Sequence, residues 1–181
     1  MYSSFIIREG YIRTSCAQYS TEDSENKFIH LTNNAVQKYS DSYGKYEDGN
    51  QLSFKDFKNY LDSFYFSDHI SFNNDIFSNI KQLIMKSTLA VRKLLNPNKR
   101  KFCFEIFGYD FIIDSEFNVW LIEVNTNPCL EESSKLLKTL IPRMIDDALK
   151  LTLDILFPPP SPLYSFPIFH IDNYLDDINM W

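Results

Sequence analysis

Two apolar runs, Phe107-Gly-Tyr-Asp-Phe-Ile-Ile-Asp114 and Trp120-Leu-Ile-Glu-Val-Asn-Thr-Asn-Pro128, constrain this chain more than any other stretch. Aromatic and β-branched residues fill both, and Ser115-Glu-Phe-Asn118 between them reads as a hairpin loop. With a four-residue loop, Asp110 faces Glu123 across an antiparallel ladder. Asn125 then follows Glu123 on the same face by the two-residue strand period. The opposite face reads Phe111, Ile113, Trp120, Ile122 and Val124, the apolar side expected to pack on a core. Asp110, Glu123 and Asn125 thus converge as hard oxygen ligands. Such a set suits Mg²⁺, which takes few protein carboxylates and completes its octahedron with water and phosphate oxygens. The expectation is a nucleotide site.

The chain has 181 residues, 44% of them hydrophobic and 16% aromatic, enough for one substantial core. Cys16, Cys103 and Cys129 have no CxxC spacing, so reduced thiols are expected rather than a disulfide framework or a zinc site. No charged-then-apolar leader and no membrane-length apolar run is visible, so neither secretion nor membrane insertion is expected. The net charge of -6 argues against general nucleic-acid binding. One region departs from that balance: Lys81, Lys86, Arg92, Lys93, Lys99, Arg100 and Lys101 fall in a stretch with no acidic residue. Such a field suits an acidic partner, and a solvated helix face followed by a loop explains it equally.

Residues 3–8 and 11–15 read as short strands joined at Glu9-Gly10. Residues 17–47 read as a long loop with an embedded polar segment, Phe28-Ile-His-Leu-Thr-Asn-Asn-Ala-Val-Gln-Lys38. Helices are expected over residues 53–66, capped by Ser53, and over residues 75–95, with Ile76, Ile80, Leu83, Ile84, Val91 and Leu94 on one arc. A further helical stretch covers residues 131–156 with a break at Pro142. Residues 1–157 then form the domain, and residues 158–181 a Pro-rich extended tail that docks poorly or not at all. His30-Leu-Thr-Asn33 with Lys38 can grip ribose or phosphate oxygens through directed hydrogen bonds and a point charge. A satisfied loop histidine and an Asx-turn at Asn33 would explain the same residues, and Arg13 can be an ordinary surface arginine.

Arg13-Thr-Ser15, Phe28-Ile-His-Leu-Thr-Asn33, Val36-Gln-Lys38, Tyr43-Gly-Lys-Tyr-Glu-Asp-Gly-Asn50, Phe107-Gly-Tyr-Asp110 and Trp120-Leu-Ile-Glu-Val-Asn125 follow one another in order. In order and spacing they resemble the carboxy-terminal half of the tubulin tyrosine ligase family, from about residue 5 to 158. The resemblance implies an α+β, ATP-grasp-like carboxy-terminal lobe with an antiparallel sheet and packed helices. It implies an ATP-dependent ligase that adds tyrosine, glutamate or glycine to tubulin through an acyl-phosphate. By matching position, Asp110, Glu123 and Asn125 would bind magnesium, and Thr32 and Asn33 would contact ATP. Arg13 and Lys38 would be catalytic, lining the pocket where phosphate, free amino acid and acceptor meet. Partners would be tubulin or microtubules through their acidic tails, in the cytoplasm, cytoskeleton or cilium.

The chemistry asks for these residue types. A carboxylate is phosphorylated and an amine then displaces phosphate, which needs positioning and charge neutralisation more than covalent help. The family's amino-terminal regions, with lysines that reach adenine and phosphates, match nothing in this sequence, so half an enzyme is expected. The rival expectation is a non-catalytic tubulin-binding or regulatory fragment that uses residues 81–101. Asn34-Ala35 stands where glutamate- and glycine-adding members carry Tyr-Ser, and Ile141 stands where they carry a lysine, with Lys138 and Arg143 nearby.

Overall fold

A computed structural model of the chain describes residues 3–65, 69–159, 169–172 and 174–181. The elements run in the order β1 (Tyr11–Arg13), α1 (Lys27–His30), α2 (Asn34–Gln37), β2 (Gln51–Ser53), α3 (Phe54–Phe64), α4 (Ser78–Val91), β3 (Gly108–Ile113), β4 (Val119–Asn125) and α5 (Lys135–Thr152). The α+β expectation holds, with two small antiparallel sheets, β1-β2 and β3-β4. The chain divides into two compact units, the first made of Met1–Phe57 with Glu131–Trp181 and the second of Lys58–Leu130.

In the first unit α5 supplies the main apolar face. Ser134 caps it by accepting the Leu137 amide at 3.1 Å, and Asp48 accepts the Lys135 amide at 2.7 Å. Leu137 and Leu140 are buried with Ile171 and Met180, and Ile7, Tyr11, Ile141 and Tyr174 pack around them. The helix runs through Pro142 without the expected break. Proline forfeits one backbone hydrogen bond there, and the packed residues on both sides hold the helical path.

The expected hairpin over residues 3–15 does not form. Tyr11, Ile12 and Arg13 pair with Ser53, Leu52 and Gln51 instead. Gly10 serves close packing rather than a turn: a Cβ there would lie 2.7 Å from the Phe54 ring. The expected long loop contains α1 and α2, each four residues long.

The expected tail is a further correction. Residues 160–168 and 173 lie outside the described residues, but residues 169–172 and 174–181 pack in the first unit. Ile171 and Met180 are buried, and Arg143 binds the backbone carbonyls of Phe169, Leu175 and Ile178. Composition alone read this segment as solvated because the group that holds it sits on α5.

Ser53 caps helix α3: its hydroxyl accepts the Asp56 amide at 3.0 Å and donates to the Asp56 carboxylate at 2.6 Å. In the second unit, a turn of π-helix, Phe72–Phe77, leads into α4 and displaces the expected helix start at residue 75. Ile76 of the expected arc is buried, whereas Val91 and Leu94 are exposed. The Tyr109 hydroxyl lies 3.2 Å from the hydroxyls of both Ser87 and Thr88, tying β3 to α4.

Candidate functional site

The β3–β4 hairpin realises the central expectation and corrects its frame. Asp110 pairs with Glu123, and Gly108 with Asn125. Nearer the turn, Phe111 pairs with Leu121, Ile112 with Trp120 and Ile113 with Val119, so one extra residue of β4 lies between the two registers. The loop has three residues rather than four: the Asp114 amide donates to the Asn118 carbonyl at 3.0 Å, the Phe117 amide bonds the Asp114 carbonyl, and Phe117 takes φ 62. The shorter loop and the β-bulge cancel at Asp110, which is why its partner is the expected one.

They do not cancel in between, and the expected core face is therefore wrong. Trp120 pairs with Ile112, which shares the face of Asp110 by the strand period, and Trp120 and Ile122 are 59% and 61% exposed. Phe111 and Ile113 are half-buried. The Trp120 indole donates to Asp114 at 2.9 Å, and with the Asn118 bonds this holds the Asp114 carboxyl below its usual range.

The three expected ligands do converge. The Asn125 amide nitrogen lies 3.3 Å from Asp110 Oδ2 and 3.2 Å from Glu123 Oε1, bridging two carboxylates. A single donor between two anionic oxygens occupies the place a cation would take, and an amide can present its oxygen there instead. Two carboxylates and an amide fit Mg²⁺ better than softer metals. Among the described residues no group of three or more His, Cys, Asp or Glu side chains is placed to hold a metal ion by itself. Gly108 opens this end of the ladder, since a Cβ there would stand 2.9 Å from Pro128 Cβ.

Arg13, Thr32, Asn33 and Lys38 lie in the first unit, all exposed. The Arg13 guanidinium sits 5.9 Å over the Tyr11 ring, and the Lys38 ammonium 5.3 Å over the Tyr39 ring. Asn33 is the N-cap of α2, its oxygen accepting the Ala35 amide at 2.9 Å. His30, the last residue of α1 rather than a loop histidine, bonds the Asp23 carbonyl at 2.9 Å.

Sequence reasoning missed what holds this loop in place. Gln37, fully buried, accepts the Cys16 amide at 2.7 Å and donates to the carbonyls of Phe28 at 3.2 Å and Leu31 at 2.6 Å. Asn50 takes φ 53, donates to the Thr14 carbonyl at 3.2 Å and accepts the Gly44 amide at 2.8 Å. Tyr43 donates to Asn34 Oδ1 at 2.5 Å, and burial, with Asp48 adding to it, pushes its phenol up. The segment from Tyr43 to Asn50 is thus scaffolding. Of the residues near the expected lysine position, Ile141 packs on the core cluster and Arg143 is 2% exposed, while Lys138 is exposed.

Comparison with known proteins places the chain in a family. The tubulin-tyrosine ligase family model matches residues 1–162, and the chain belongs to that family. It is 34% identical over 151 residues to tubulin glycylase 3B and 36% over 149 residues to tubulin glycylase 3D, both from Tetrahymena thermophila. The matched stretches cover 83% and 81% of this chain but 12% and 14% of those proteins. The probable alpha-tubulin polyglutamylase Ttll1 of the same organism is 33% identical over 151 residues, covering 82% of this chain and 35% of that protein.

Proposed function

We propose that this chain forms part of an ATP-dependent ligase, ATP-grasp in fold, that joins an amino acid to tubulin through an acyl-phosphate. The observation that carries the reading is the Asn125 amide held between Asp110 and Glu123. Family membership supports it, as do the printed activities of the relatives, two glycylases and a probable polyglutamylase. The place of action that goes with it is the cytoplasm, cytoskeleton or cilium.

Magnesium, when bound with ATP, neutralises charge on the phosphoryl group being transferred. Asp110 and Glu123 would provide the anionic oxygens for it, and Asn125 a neutral one. Thr32 offers a hydroxyl to the nucleotide. Asn33, its oxygen engaged at the α2 cap, offers amide hydrogens. Arg13, carried on a paired strand, provides a fixed cation for charge that builds on the phosphoryl and acyl oxygens, and Lys38 provides a second for the incoming carboxylates. The metal set lies in the second unit and the other four residues in the first, and the proposal assigns their roles accordingly.

The test is incorporation of radiolabelled glycine, glutamate and tyrosine, run in parallel on tubulin, by a protein that carries this chain. ATP- and Mg²⁺-dependent incorporation of one of them is the expected result. None with any of the three, from a folded protein that binds tubulin, would favour the second reading, a non-catalytic tubulin-binding element. One observation supports that reading: Lys81, Lys86, Arg92, Lys93, Lys99, Arg100 and Lys101 are all exposed. If they hold acidic tails, K99E/R100E/K101E should weaken tubulin binding, and wild-type affinity should fall as salt rises, since exposed charges are screened beyond about 8 Å at physiological ionic strength. Salt-independent binding with no loss in the triple variant would return these residues to a solvated surface.

A further inference from the structure

The family match ends at residue 162, yet residues 169–172 and 174–181 dock on the first unit and bury Ile171 and Met180 there. Arg143 is the anchor. It donates Nε to Asp147 at 3.0 Å, Nη1 to the Phe169 carbonyl at 3.1 Å, and Nη2 to the carbonyls of Leu175 at 3.2 Å and Ile178 at 2.6 Å. A rigid guanidinium fork shared between one carboxylate and three backbone carbonyls is a receptor for a chain segment. Asp147 completes it by accepting the Met180 amide at 2.9 Å, and the Trp181 indole donates to the Met144 carbonyl at 3.0 Å.

The same segment grips the approach to β1. The Met180 carbonyl accepts the Arg8 amide at 2.8 Å, and the Tyr174 hydroxyl donates to the Arg8 carbonyl at 3.1 Å. Burial, with the charge of Glu9 adding to it, pushes the Tyr174 phenol up to about 12. Tyr11 packs against the cluster that contains Ile171 and Met180. It is also the first residue of β1, and its ring is the one beneath the Arg13 guanidinium. A continuous set of contacts therefore runs from α5 through the docked segment to the side chain assigned to catalysis.

We propose that residues 169–172 and 174–181 act as a strap that clamps residues 7–11 against α5 and so aims Arg13, with Tyr174 and Met180 as positioning residues. The consequence for Arg13 rests on the catalytic role proposed above; the clamp itself does not. Nothing in the family match would reveal this strap, because it lies beyond residue 162.

Amide hydrogen exchange on the 181-residue chain tests the clamp without any assay of activity. In Tyr174→Phe combined with Asn179→Ala, exchange at Arg8 and Thr14 should rise at least tenfold while Tyr109 and Leu121 keep their rates. In a chain cut after residue 168, a synthetic peptide of residues 169–181 should restore protection at Arg8, and a scrambled peptide should not. Unchanged exchange at Arg8 and Thr14 in the double variant would overturn the strap, and because that variant keeps the whole segment, the result is decisive even if the shortened chain does not fold. In a protein active on tubulin, Tyr174→Phe should lower kcat with KM for ATP unchanged. Faster exchange at Arg8 with an unaltered kcat would overturn the aiming of Arg13.

Discussion

The β3–β4 hairpin and the loop that carries Thr32 and Asn33 present similar small polar side chains, but they are held in opposite ways. The hairpin is a local device: its ladder, its three-residue loop and its bulge all come from Gly108–Asn125. The loop is a distant one, fixed by buried Gln37 reaching Cys16 and, behind it, by Asn50 reaching Thr14. Local construction allows a ligand to be exchanged at little cost to the fold. Distant construction makes the fold depend on single buried polar groups, because each leaves several partners unsatisfied when removed.

That contrast is sharpest in the effect of matched substitutions. In a protein with tubulin-ligase activity, Glu123→Gln should lower kcat by roughly a hundred- to a thousandfold, the range for loss of a charge-stabilising group at a transferring centre. Its urea midpoint should stay at the wild-type value, since an isosteric amide on a paired strand disturbs no packing. Near-normal turnover with unaltered Mg²⁺ dependence would remove Glu123 from the site. A large shift in midpoint would show that the hairpin is not the self-contained device described here.

Arg143→Met should do the reverse and damage stability first. Removing one member of a buried, hydrogen-bonded ion pair costs about 3–5 kcal/mol, because Asp147 is left charged and three carbonyls lose their donor. Urea unfolding followed by Trp181 emission, in a Trp120→Phe background, reads this directly. A loss below about 1 kcal/mol would mean that the segment docks without its anchor.

Gln37→Leu should be milder, about 2–3 kcal/mol, as one buried amide hydrogen and two carbonyls lose a neutral partner. Circular dichroism melts measure it. An effect as small as an ordinary surface change would break the claim that the Thr32–Asn33 loop is held from a distance.

The same division decides what was legible in the sequence. Asp110 opposite Glu123 matched the expected register only because the shorter loop and the β-bulge offset each other there. The face of Trp120 could not be read, since a β-bulge one residue long inverts alternation and leaves no compositional mark. The pairing of β1 with β2 joins Arg13 to Gln51, and a plausible turn at Glu9-Gly10 concealed it; only the packing of Phe54 on Gly10 explains that glycine. Pro142 looked like a break because propensity is judged locally, whereas α5 is held by its buried face. Nothing in the sequence marked Gln37, Asn50 and Arg143 as scaffolding, for the same reason: each is buried by contacts remote in sequence. Of the candidate site, the meeting of Asp110, Glu123 and Asn125 was visible as a geometry. Thr32, Asn33, Arg13 and Lys38 were visible only as a resemblance.

The central claim is that Asp110, Glu123 and Asn125 form one cation site for a nucleotide complex. Paramagnetic broadening of backbone amides by Mn²⁺–ATP, with diamagnetic Mg²⁺–ATP as reference, tests it most directly. The account predicts broadening centred on Asp110, Glu123 and Asn125 that is lost in Glu123→Gln while the remaining spectrum is preserved. Broadening that leaves these three residues untouched, or that survives unchanged in Glu123→Gln, would contradict it.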